Sequence, residues 1–97
     1  MKIRIKKAEI NENEIIEISK SPKILLIFDG KTYSAFYGMC PHANWPLNNG
    51  IIEGEILGCV AHGYEFNYGN GKCINNPGRD LKKFKVETDK EDVIISY

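Results

Sequence analysis

Three features of this 97-residue sequence predict an all-β fold. Short runs rich in β-branched and aromatic residues recur along its whole length, turn-forming residues separate them, and no segment sustains a helical period long enough to anchor a fold. The length suits one domain, residues 1–97, with a single buried core. Apolar residues make up 42% and charged residues 27%, the balance of a globular chain rather than a disordered one.

Taken in order, strands are predicted over Lys2 to Lys6, Glu14 to Ile18, Lys23 to Phe28, Thr32 to Tyr37, Gly50 to Ile52, Glu55 to Cys59, Tyr64 to Asn67, Lys82 to Glu87 and Asp92 to Tyr97. Asp29-Gly30, Glu53-Gly54 and Gly69-Asn70-Gly71 can supply the positive φ of tight turns, so each closes a hairpin. The one helical candidate, Asn11 to Glu17, has an Asn-x-x-Glu start but is too short and too poorly amphipathic to matter. A sandwich or small open barrel follows. Met39 to Asn49, Cys59 to Gly63 and the stretch around Pro77 from Asn75 to Asp80 break this rhythm, so the chemistry is expected there.

Thirteen basic residues balance thirteen acidic ones, which leaves no basic excess for a phosphate backbone or an anionic lipid surface. Neither a nucleic acid nor a membrane is therefore expected as partner. The first ten residues intersperse charge with apolar side chains, and the longest apolar run, Ile24 to Phe28, is far below the roughly 20 residues of a spanning helix. A cytoplasmic location is expected. Three cysteines, an odd number, in a reducing compartment point to metal ligation sooner than to disulfides.

Two of those cysteines sit beside the only two histidines. The first loop carries Cys40-Pro41-His42 and the second Cys59-Val60-Ala61-His62, with sixteen residues between His42 and Cys59. Because Ile51 to Leu57 is predicted to be a hairpin, the loops should lie side by side and bring four soft or borderline donors together. A tetrahedral Cys2His2 zinc site that staples the loops would use the same residues.

The pattern C-x-H, sixteen residues, C-x-x-H, with its flanks CPHANWPLNNG, GCVAHGYEF and GKCINNPG, resembles the signature of Rieske-type ferredoxins. The resemblance implies a three-sheet antiparallel sandwich with two cluster-binding loops, the binding part spanning about residues 39–80. It implies one [2Fe-2S] cluster per chain, with Cys40 and Cys59 on one iron and His42 and His62 on the other. Neutral imidazoles in place of two thiolates lower the negative charge around the centre, which sets potentials between roughly −150 and +300 mV, above all-cysteine ferredoxins.

In the high-potential branch of the family, each loop adds a cysteine and the pair forms a disulfide; here those positions hold Trp45 and Ala61. That branch also carries a serine and a tyrosine whose hydroxyls stabilise the reduced centre; here those positions hold Tyr64 and Phe66. A potential in the lower part of the range is expected. Pro41, Trp45, Pro46 and Leu47 are expected to wall one side while the outer ring nitrogens of His42 and His62 face solvent.

With both histidines committed, none remains for a catalytic base or a mononuclear iron triad, so the chain is not expected to be an enzyme. The implied role is a soluble, monomeric one-electron carrier between a reductase and a terminal oxygenase or other acceptor. The alternative is the small electron-transfer subunit of a nitrite reductase-like complex, whose first loop is similar. Cys73 is expected to be a packing residue, Pro77-Gly78 a turn closing over the cluster, Trp45 either a docking or a covering aromatic, and Lys82, Lys83 and Lys85 a solvated strand face.

Overall fold

A computed structural model describes residues 1–42, 44–61 and 63–97. Among them nine strands form: β1 (Lys2–Lys6), β2 (Ile16–Lys20), β3 (Lys23–Phe28), β4 (Tyr33–Tyr37), β5 (Ile51–Glu53), β6 (Ile56–Gly58), β7 (Glu65–Asn67), β8 (Lys83–Thr88) and β9 (Asp92–Ser96). All nine predicted strands are present, with ends shifted by a residue or two. The region predicted as a possible helix is not one: a 3-10 turn occupies Lys7–Glu9, Glu12 bridges to Phe28, and Ile16 and Glu17 already belong to β2.

Strand order in the larger sheet is β1-β9-β8-β4-β3-β2, every pair antiparallel. Ala35↔Phe84 and Phe36↔Lys83, extended by the bond from Tyr37 N to Lys82 O, join its two halves of three strands each along a short seam. A separate three-stranded antiparallel sheet, β5-β6-β7, carries the second loop.

Central β3 explains how the layers stack. After Lys23 its residues, Ile24 to Phe28, are apolar on both faces, as in a strand covered twice. By the two-residue period of a strand, Leu25 and Ile27 point one way and Ile24 and Leu26 the other. Leu25 and Ile27 join Phe36, Cys40, Leu47, Leu57, Cys59, Phe66 and Tyr68 in one apolar cluster, while Ile24 and Leu26 join Ala35, Val93 and Ile95 in a second. The two cysteines of the predicted site are thus part of the first cluster.

The turns behave as their residues require. Asp29 Oδ1 accepts from the amides of Lys31 and Thr32, holding its carboxyl below the usual range, and Gly30 follows at φ +99°. Gly54 (φ +59°) and Gly71 (φ +83°) turn the chain at the other two sites.

The lysine run is not uniformly solvated. Lys82 and Lys85 are exposed, but Lys83 is half-buried, its Nζ donating to the carbonyl of Tyr68 at 2.7 Å. Burial pulls its ammonium down from 10.5 to about 8. Between those values the unfolded chain holds a proton that the folded chain has released, so this group makes stability rise with pH across that window. Chemical denaturation at pH 8 and pH 10.5 is expected to show that gain diminished in Lys83→Met relative to the parent.

Candidate metal centre

The two predicted loops are hairpin tips with the same backbone closure. In the first, Leu47 N donates to Gly38 O, Met39 bridges to Pro46, Cys40 N donates to Trp45 O at 2.7 Å, and Asn44 N returns to Cys40 O at 2.8 Å. In the second, Gly58 pairs with Glu65, Cys59 N donates to Tyr64 O at 2.8 Å, and Gly63 N returns to Cys59 O at 2.9 Å. Counting from each cysteine, the fourth residue reverses the chain in the left-handed region: Asn44 at φ +52° and Gly63 at φ +71°. Asparagine and glycine adopt that conformation most readily, which is why the sequence can close both tips alike.

Each cysteine is fixed by its own main chain and faces the core, Cys40 at 1% and Cys59 at 2% exposure. All three cysteines are thiols, consistent with the absence of the extra pair found in the high-potential branch. The tips touch: the Tyr64 ring of the second stacks on His42 of the first, centroids 3.7 Å apart and planes 13° from parallel. Phe66 lies tilted against the same imidazole at 5.8 Å. The predicted ligand His62 lies outside the described residues.

His42 presents its two nitrogens to different neighbours. Nδ1 is 3.9 Å from Cys40 Sγ, and Nε2 is 3.9 Å from Cys73 Sγ. The ring is half-buried, and Nε2 lies beside the Cys73 thiol. The physical reason is the 73–75 segment, which crosses this side of the ring: Cys73 is bridged to Phe66 and buried at 5%, and its amide donates to Asp80 Oδ1. Cys73 therefore packs, as expected, but against a predicted ligand. The only signal for this in the sequence is its place in the quoted GKCINNPG stretch. Trp45 remains half-exposed, whereas Leu47 beside it is buried at 1%.

The irregular segment after Cys73 ties both tips together. Asn75 Oδ1 accepts from Glu65 N at 3.0 Å, and its Nδ2 donates to Gly63 O at 2.9 Å. Arg79 Nη1 reaches Pro41 O at 3.4 Å. Pro77-Gly78 forms the expected turn, Gly78 standing at φ +104°. Asn75→Ala removes both contacts to the second tip and is expected to cost about 1–2 kcal/mol in denaturant unfolding and to speed iron loss to a chelator.

Two thiols and an imidazole on interlocked hairpin tips suit an iron-sulfur centre. Among the described residues, no three His, Cys, Asp or Glu side chains converge on a single point. A two-iron cluster does not require that, since each iron takes two protein ligands.

Comparison with known proteins identifies the family. The family model for the Rieske [2Fe-2S] domain matches residues 2–85. Apoptosis-inducing factor 3 of Mus musculus is 38% identical over 74 residues, 75% of this chain, and the chain spans only 12% of that relative's length. The ferredoxin component of biphenyl 2,3-dioxygenase from Rhodococcus jostii is 26% identical over 89 residues, covering 90% of this chain and 83% of the relative.

Two solved structures show the fold at lower identity. The ferredoxin of carbazole 1,9a-dioxygenase from Nocardioides aromaticivorans superimposes with a TM-score of 0.87 at 16% identity, over 99% of this chain and 97% of the other. A protein described as a nitrite reductase NADPH small subunit gives 0.83 at 16% identity, over 100% and 99%. With paired thiol-bearing tips, an imidazole set between them and a family match over most of its length, the chain belongs to the Rieske [2Fe-2S] domain family, whose cofactor is a [2Fe-2S] cluster.

Proposed function

We propose that this protein is a one-electron carrier in which Cys40 and Cys59 hold one iron of the cluster and His42 and His62 the other. The observation that supports the reading is the matched closure of the two hairpin tips, each of which carries a buried cysteine, with His42 of the first tip stacked on Tyr64 of the second. When bound, the cluster supplies a centre that accepts and releases a single electron.

The chain's own residues account for the rest. Leu25, Phe36, Leu47 and Leu57 pack with the cysteines and exclude water from their sulfurs. Tyr64 and Phe66 hold the His42 ring in orientation. Neutral imidazoles spare the site two negative charges, raising its potential above that of an all-cysteine centre. The sequence has two histidines, both assigned as ligands, so the chain transfers electrons and leaves substrate chemistry to a partner.

The likeness to a dioxygenase ferredoxin component supports an oxygenase as acceptor; a reductase as donor, a monomeric state and a cytoplasmic location complete the proposal. Among the described residues, no helix is long and apolar enough to cross a membrane. A small subunit of a nitrite reductase-like complex shares the fold, and native size exclusion separates the two roles: a monomer supports the free carrier.

Electron paramagnetic resonance of dithionite-reduced protein tests the core of the proposal. A rhombic signal with average g below that of an all-cysteine cluster is expected. A colourless, silent protein that contains zinc would overturn it.

A further inference from the structure

The outward face of the β5-β6-β7 sheet is not closed. Strand alternation sends Ile52, Leu57 and Phe66 into the core, while Ile51 and Glu53, Ile56 and Gly58, and Glu65 line the opposite face. Register sets Ile51, Gly58 and Glu65 in one row across the three strands, and Glu53 beside Ile56 in the next. Over this face lies a groove of about 280 Å³ that runs up to Cys59 and Val60 of the second tip.

Three observations give the groove its chemistry. Ile51 and Val60 stand on it at 57% and 51% exposure, large aliphatic groups left in water at a cost the fold does not recover. Its charged residues are Glu53 and Glu65, both exposed, and no lysine or arginine is among the described residues that line it. Gly58 keeps it open without need: its φ is not in the left-handed region, and a Cβ there would meet only the carbonyl oxygen of Ile51 at an ordinary 3.7 Å.

We propose that this acid-rimmed groove is a docking surface for a redox partner that presents an apolar side chain flanked by lysine or arginine. The surface rests on the carrier reading above and adds where, and by what chemistry, the partner binds. An apolar side chain seated over Gly58 would cover Ile51 and Val60, and its cationic neighbours would pair with Glu53 and Glu65. The seat ends at Cys59, so a partner held there lies against the backbone of a proposed cluster ligand.

The test uses cytochrome c, a basic haem protein, as electron acceptor from the reduced holoprotein in stopped flow, with benzoquinone as a small neutral acceptor. The second-order rate with cytochrome c is expected to fall as salt rises. Glu53→Lys with Glu65→Lys should lower it about tenfold at low ionic strength, and Gly58→Val about threefold.

Glu87→Lys with Glu91→Lys makes the same change in net charge on β8 and at its far turn, away from the groove. That variant should stay within about twofold of the parent. All variants should keep the parental resonance signal and benzoquinone rate. Groove variants that react with cytochrome c as the parent does, or a β8 variant slowed equally, would overturn the docking surface. Failure of the carrier reading looks different: no rhombic signal and no transfer to either acceptor.

Discussion

Cys59→Ala protein is expected to be colourless, to give no resonance signal after reduction, and to have lost more than roughly 100-fold in iron affinity. The Cys59 side chain is 2% exposed, on a tip whose backbone is closed by Tyr64 and Gly63. Removing its sulfur leaves an apolar hole in place of a proposed ligand. The third thiol is not a substitute. Cys73 sits against Nε2 of His42, the ring nitrogen turned away from Cys40, and its amide is held by Asp80. Cys73→Ala should therefore retain colour and signal. Equal loss of iron in the two variants, measured by metal analysis and visible absorbance, would refute the assignment of ligands.

Phe66→Tyr is expected to raise the reduction potential by roughly 60 mV, the equivalent of one charge-assisted hydrogen bond of about 1.4 kcal/mol for a one-electron couple. Phe66 is fully buried, shares an apolar cluster with Cys40, and lies 5.8 Å from His42. It occupies the position at which the high-potential branch supplies a hydroxyl. A donor there would stabilise the extra electron of the reduced state more than the oxidised state, which shifts the potential upward. The parent itself should lie in the lower part of the Rieske range. A voltammetric midpoint well above about +150 mV for the parent, or no rise in the variant, would sink this account of how the site is tuned.

Much of the architecture was legible because it depends on short-range chemistry. A strand announces itself by side chains two residues apart, and a hairpin by a residue that tolerates positive φ, so Asp29-Gly30 and Glu53-Gly54 could be placed without a partner in view. The candidate ligand set could be proposed for the same reason, since C-x-H and C-x-x-H are local spacings. The segment from Asn11 to Glu17 offered two local readings, an Asn-x-x-Glu helix start and a strand from Glu14 onward. Pairing of Ile16 and Glu17 with β3 satisfies that backbone in a sheet instead.

By itself, then, the sequence determined the all-β class, the turns, the two loops and the family to which they belong, because each is written in residues that are near neighbours along the chain. Only the tertiary structure decided that Cys73 closes over His42, thirty-one residues away, that Asn75 and Arg79 bind the two tips, and that Lys83 turns inward onto Tyr68. These contacts arise when the 73–83 stretch folds back across the small sheet. Their energy comes from burial and hydrogen bonds between distant segments, which no local pattern encodes.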